Sequence, residues 1–352
     1  MVKIFNREWS KAELMRRVGQ MDQLAGIQLL EAGDGKARGS RILNVWTGTG
    51  LRFQVNAERA LDLTSCDFKG IPLAWRSPAG DVHPAFFEPQ GLGWLRSFPG
   101  GLLATCGLDQ YGPPSQEAGA EFGLHGRISN QPASKVNYRT YWDGEDYKLE
   151  ISGETRQAAL FSENLVLQRR IATALGSNHI VVEDVVTNDG FQPAPFMLLY
   201  HFNMGFPLVS EDTRLKLNFE ETLARDAIAQ GGLAEWDRTQ APTAGYKEQV
   251  FIHRPQAQKN GLTSIELLNA QMHLGVRWTY KTAELPYLME WKMMGEGAYV
   301  LGVEPSNCNG LGGRAATREA GQLPILAPGE SRCFHIDVEI LHNDQFKEDV
   351  NE

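Results

Sequence analysis

The sequence predicts a mainly β protein, one large antiparallel domain with a short N-terminal helical segment. Three observations carry this. Beyond residue 40 the chain runs as short apolar or alternating stretches separated by turn residues, the mark of a sandwich or barrel. Strand and helix patterns do not alternate, which disfavours a parallel α/β sheet. With 42% hydrophobic and 22% charged residues among 352, a packed core is expected rather than disorder. A single large β domain can be this long.

Each element has a local reason. Ser10-Lys11-Ala12-Glu13 fits a capping box with Ser10 as N-cap. Leu14, Val18 and Met21 then recur at helical spacing, which predicts a helix over 10–22. Residues 1–39 are read as an N-terminal helical appendage and 40–345 as the β domain. Runs at 41–46 and 51–56 flank Thr47-Gly48-Thr49-Gly50, and 60–65 and 72–75 continue the pattern. Residues 136–142 and 147–152 meet across 143–146 as a hairpin. Residues 165–173 and 179–187 form a second pair turned at 176–178. Further runs lie at 197–201, 215–219, 250–253, 275–281, 299–303 and 333–340. There is no Pro- or Gly-rich linker, internal repeat or low-complexity tract.

Composition excludes some functions. Lys plus Arg is 34 and Asp plus Glu is 43, a net charge of -9. A nucleic-acid binder needs a basic face, so no nucleic-acid partner is expected. The first residues, MVKIFNREWS, lack a signal-length apolar core, and no run nears the ~18 apolar residues of a membrane span. A cytoplasmic protein without a membrane partner is expected. Cys66, Cys106, Cys308 and Cys333 are far apart and form no C-x-x-C pair, so reduced, mostly buried thiols are expected. No phosphate loop, zincin motif or nucleophile elbow occurs. Gly310-Leu311-Gly312-Gly313-Arg314 lacks the strand–helix context of a dinucleotide fingerprint.

Three stretches combine turn residues with titratable side chains. In Gly123–Ile128, His125 precedes Gly126, which permits close backbone approach, and Arg127 adds a fork of donors. The plain alternative is a loop histidine with local partners. In Tyr200–Pro207, His201 and Asn203 fall on one face of a strand. They form either a polar cluster facing a ligand or a core histidine with its hydrogen-bond partner. In Tyr299–Cys308 an apolar strand runs into Glu304, with Pro305 ending the pairing. A carboxylate there is costly unless paired or working. Asn307 and Arg314 follow within reach of a loop. Together a histidine, a carboxylate and extra donors supply a general acid and base. No Ser, Cys or Lys stands in an activated setting. His83, His125 and His201 are scattered in sequence, and no metal is expected.

At these residues the chain resembles the aldose 1-epimerase (galactose mutarotase-like) superfamily, closest to a poorly characterised branch. The resemblance is carried by Phe98–Gly107, Leu124-His125-Gly126-Arg127, Tyr200–Pro207 and Val303–Cys308, and it spans about residues 40–341. It implies a β-supersandwich with a long cleft, and chemistry at an anomeric carbon without cofactor. It implies that His201 is the general acid at the ring oxygen and Glu304 the base at the C1 hydroxyl. His125 would bind substrate hydroxyls, with Arg127 near it. The acidic residue that holds sugar hydroxyls in this family matches best at Glu248, in Tyr246–Phe251. Arg76 is a candidate for the family's early arginine, and Trp291 is placed to stack on a sugar face or to pack in the core. Asn203, Asn307 and Arg314 complete the expected set of substrate-binding residues.

The implied function is interconversion of the anomers of a free sugar or sugar derivative, with a small-molecule carbohydrate as partner. The alternatives are a carbohydrate-binding or regulatory protein without turnover, and another epimerase- or lyase-type reaction in the same cleft. Nothing in the composition opposes a homo-oligomer.

Overall fold

The computed structural model describes residues 1–342 and Phe346. In chain order, the main strands begin with β1 (Gly26–Glu31), β2 (Arg41–Trp46), β3 (Leu51–Asn56), β4 (Asp62–Phe68), β5 (Leu103–Leu108) and β6 (Ser134–Asp143). Next come β7 (Asp146–Ala158), β8 (Asn164–Ala174), β9 (His179–Asn188), β10 (Met197–Gly205), β11 (Thr213–Leu217) and β12 (Phe219–Ala224). The last are β13 (Gln249–Pro255), β14 (Leu262–Asn269), β15 (Leu274–Lys281), β16 (Tyr287–Gly295), β17 (Ala298–Ser306) and β18 (Ser331–His342).

Two sheets result. The larger has 11 strands in the order β12-β13-β16-β17-β10-β5-β4-β3-β2-β1, with Ile71–Pro72 added beside β4. The smaller has eight, in the order β6-β7-β8-β9-β18-β15-β14-β11. Their facing sides share one apolar core that joins Leu43, Phe53 and Phe202 to Ile171, Val182, Trp278 and Val338. The mainly β, sandwich-like architecture is the one the sequence predicts.

The differences are local. The capping box forms, with Glu13 N donating to Ser10 Oγ and Ser10 N donating to Glu13 Oε2. The helix, however, is only α1 (Lys11–Met15). Leu14 is its one buried side chain, too small an apolar stripe to carry a longer helix. Residues 26–31, read as part of the helical appendage, are the edge strand β1, hydrogen-bonded to β2. Glu304 and His201 were expected at strand ends; both lie inside strands, and β17 continues through Pro305 to Ser306. All four cysteines are free thiols, with Cys333 exposed. Among the described residues, no helix is long and apolar enough to cross a membrane.

Candidate active site

Strand β10 explains where the site lies. It runs through the middle of the larger sheet between β17 and β5, and all its residues are buried. Side chains alternate along a strand. Leu198, Tyr200, Phe202 and Met204 face the core between the sheets. Met197, Leu199 and with them His201 and Asn203 face the other way, into a second cluster with Trp94, Phe98, Ala104, Cys106 and Met289. On β17 the same alternation sends Leu301 and Val303 to the core and Glu304 to the His201 side.

There His201 Nε2 stands 3.2 Å from Glu304 Oε1, and each side chain is only 5% exposed. The alignment is not that of a hydrogen bond, so Glu304 Oε1 has no partner; the other ring nitrogen, His201 Nδ1, has none either. Gly302, two residues before Glu304 on β17, makes room for the carboxylate. A Cβ at that position would collide with Glu304 Oε1 and press on Trp291.

Aromatic rings surround the pair. Phe98, Trp291, His125 and Trp94 lie 5.3, 5.5, 5.6 and 6.3 Å from the His201 ring, centroid to centroid. His125 reaches the site from a loop in the left-handed conformation, with φ +56, a strained state for a non-glycine residue. The loop is fixed by Gly107 N donating to His125 O and His125 N donating to Gly112 O. Gly126 must be glycine there, because a Cβ would strike the carbonyls of Gln110 and Gly107. At the rim, Trp291 Nε1 donates to Glu248 Oε2 (2.9 Å), and Arg225 Nη2 donates to Glu248 Oε1 (3.0 Å).

The electrostatics follow from burial, which opposes charge. Burial pushes the His201 imidazolium well below its ordinary range, with His125 acting in the same direction and Asn203 opposing. Burial pushes the Glu304 carboxyl well up, and the Glu248 carboxylate adds to that. His125 is held down at about 4 by burial alone. Its Nδ1 is buried without a partner, as is Asn203 Oδ1. Unpartnered buried polar atoms are rare in folded proteins, and four of them meet here. The arrangement can exchange protons with a small polar ligand held among aromatic faces.

A family model described as Domain of unknown function (DUF4432) matches residues 37–340. The chain belongs to the DUF4432 family. No curated protein matches it by sequence. Among solved structures, the DUF4432 chain is similar to a candidate aldose 1-epimerase from Klebsiella pneumoniae subsp. pneumoniae. That structure is 28% identical with a TM-score of 0.87, covering 93% of this chain and 88% of the other. A galactose mutarotase-like protein from Clostridium acetobutylicum is 15% identical with a TM-score of 0.64, covering 91% and 100%. A galactose 1-epimerase from Lactobacillus acidophilus is 12% identical with a TM-score of 0.54, covering 91% and 99%. The last two bear on the fold alone. The DUF4432 chain has the galactose mutarotase-like fold.

Within that fold the structure brings His201, Glu304, His125, Trp291 and Glu248 together. Other expected residues are engaged elsewhere. Asn203 Nδ2 donates to the carbonyls of Gly101 and His201, so its amide supports the floor of the site. Asn307 is a correction: Leu198 N donates to its Oδ1, and its Nδ2 donates to Phe196 O, so main chain uses both ends of the amide. Arg314 is a second, because Glu117 and Asp109 hold its guanidinium. Arg76 pairs with Asp81 and donates to Thr64 O; its neighbour Trp75 is the one that meets Phe98 and Trp291. Arg127 is exposed.

The sequence reading of the DUF4432 chain missed Trp94, which stacks on Phe98 at 4.3 Å. It also missed Arg59, which is 1% exposed. Arg59 Nη1 donates to Asn130 Oδ1 and Val82 O, while its Nε and Nη2 have no partner. Burial lowers its pKa to about 10, against the pull of Asp62 and Asp81. No motif marks either residue. An aromatic residue beside a glycine turn, and an arginine between two apolar strands, were the available signals.

Proposed function

We propose that this chain is an aldose 1-epimerase-like isomerase that interconverts the anomers of a free sugar or sugar derivative. The observation that carries the reading is the buried His201–Glu304 pair, 3.2 Å apart, with Glu304 Oε1 free of hydrogen-bond partners. The ring oxygen and the C1 hydroxyl oxygen share one carbon, so two adjacent proton-transfer groups suffice for both. His201 gives a proton to the ring oxygen while Glu304 takes the proton of the C1 hydroxyl. The C1–O5 bond breaks and the sugar opens to its aldehyde, leaving His201 neutral and Glu304 protonated. C1 turns about its bond to C2. Reversed transfers then close the ring on the other face and restore the pair. Each group serves in both directions, as microscopic reversibility requires. His125 is placed to meet a sugar hydroxyl, and Trp291 to meet a C–H face. The likeness to the Klebsiella pneumoniae protein supports this reading.

The test is anomer exchange by NMR saturation transfer across aldoses, deoxy sugars, pentoses and uronic acids. Glu304→Gln and His201→Asn are each expected to slow exchange by about 10²- to 10⁴-fold with the fold intact. A folded Glu304→Gln protein with unchanged rate would refute the base assignment. Binding of a sugar without exchange would make the chain a carbohydrate-binding protein.

A further inference from the structure

Arg59 is a buried cation that the proton transfers above do not use. It is 1% exposed. Its Nη1 donates to Asn130 Oδ1 and Val82 O, while Nε and Nη2 have no partner. Nε and Nη2 form one edge of the guanidinium fork, and that edge matches the two oxygens of a carboxylate. Arg169 shows this use in the same chain, with Nε and Nη2 donating to Asp184 Oδ1 and Oδ2 at 2.9 and 2.6 Å. The carboxylates that pull on Arg59, Asp62 and Asp81, are engaged elsewhere. Thr105 and Arg169 hold Asp62, and Thr64 and Arg76 hold Asp81.

Contacts join Arg59 to the site. Its partner Asn130 donates to Ser129 Oγ, which also accepts from Trp94 Nε1. The Trp94 ring lies 4.7 Å from that of His125 and 6.3 Å from that of His201. Burial pushes the Cys106 thiol up, Glu304 adds to that and Arg59 opposes it. Both charges therefore reach one thiol of the cluster on the His201 side of the sheet. The fold has already stripped the guanidinium of water, so a ligand carboxylate that meets it gains the pairing without desolvating the cation again.

On the anomer-exchange reading above, we infer that the sugar this site takes is a sugar acid, whose carboxylate lies against Arg59 Nε and Nη2. His125 Nδ1 and Asn203 Oδ1, buried and unpartnered, remain for ring hydroxyls. A phosphate ester fits less well. A dianion calls for several converging cations, and Arg76, Arg225 and Arg314 are already paired.

Two matched sets test this: D-glucuronate against D-glucuronamide and D-glucose, and D-galacturonate against D-galacturonamide and D-galactose. The amide keeps the shape of the acid and removes its charge. Anomer exchange is measured on the wild type, and Kd by ligand-observed NMR on the wild type, Glu304→Gln and Arg59→Met. In at least one set the acid is expected to be favoured about 10- to 100-fold over both neutral members, in kcat/KM and in Kd. In Arg59→Met that ratio is expected to fall toward one. The wild-type comparison of acid with amide decides the matter even where Arg59→Met does not fold. Neutral members that tie or win in every set overturn the inference, while exchange on any sugar keeps the isomerase reading. An acid preference in Kd without exchange on any sugar sinks the isomerase reading and keeps the inference. An acid preference retained by folded Arg59→Met overturns the assignment to Arg59. Tighter binding of D-glucose 6-phosphate than of D-glucuronate overturns the choice of a carboxylate.

Discussion

At the scale of single residues, the site is governed by the cost of burying charge. His201 and Glu304 titrate as a coupled pair, so the apparent steps belong to both. Burial opposes a second proton, which would leave the pair positive, and moves that step below the ordinary histidine value of about 6.5. It also opposes loss of the last proton, which would leave the pair negative, and moves that step above the ordinary carboxylate value of about 4.3. The one-proton form that the reaction needs therefore occupies the window between those two steps. The kcat/KM profile is expected to be bell-shaped, with its acid limb below pH ~6.5 and its alkaline limb above the ordinary carboxylate range. Glu248→Gln removes a negative neighbour of Glu304 while keeping an acceptor for Trp291. Its alkaline limb is expected to move to lower pH; an unmoved limb would show that Glu248 does not act on the pair.

At the scale of elements, α2 (Gly313–Glu319) fixes the loop that presents His125. Arg314 near its start binds Glu117 and Asp109, and Arg314 N donates to Gln110 Oε1. The segment so clamped includes Gly112, whose carbonyl accepts from His125 N. Arg314→Met is expected to weaken this clamp by about 1.5–3 kcal/mol, the range for hydrogen bonds to charged groups. Hydrogen exchange should quicken over 109–126, and KM should rise more than kcat falls. A drop in kcat as large as that of Glu304→Gln would instead return Arg314 to the reacting centre.

For the molecule as a whole, the two sheets are joined by a buried polar network besides their apolar core. Arg169 on β8 pairs with Asp184 on β9 and crosses to Asp62 on β4. Tyr200 on β10 donates to Asp184, and Thr105 on β5 donates to Asp62. Removing Arg169 leaves Asp62 and Asp184 without the cation that pairs with both. Arg169→Met is expected to cost about 3–5 kcal/mol, read as a lower denaturant midpoint with an unchanged slope. The Tyr200 link places this network directly behind His201, its neighbour on the opposite face of β10. A loss of stability below 1 kcal/mol would mean that the network is relieved by water or protonation.

Much of this was legible in the chain itself. Period-two alternation and turn spacing determined the mainly β class, because a pleated strand exposes alternate residues to core and solvent. The capping box at Ser10–Glu13 was legible because its bonds are local. His201, Glu304 and His125 stood out because titratable groups beside apolar runs are costly to bury. Strands β1, β5, β12, β14 and β16 were missed, since short apolar stretches carry no sign of which partner will pair with them. Only the tertiary structure decided which polar groups meet. It closed Asn307 onto the main chain of β10, tied Arg314 to Glu117, and brought Trp94 and Arg59 in unannounced. Those outcomes rest on contacts between residues far apart in sequence, and no local pattern encodes the distance between them.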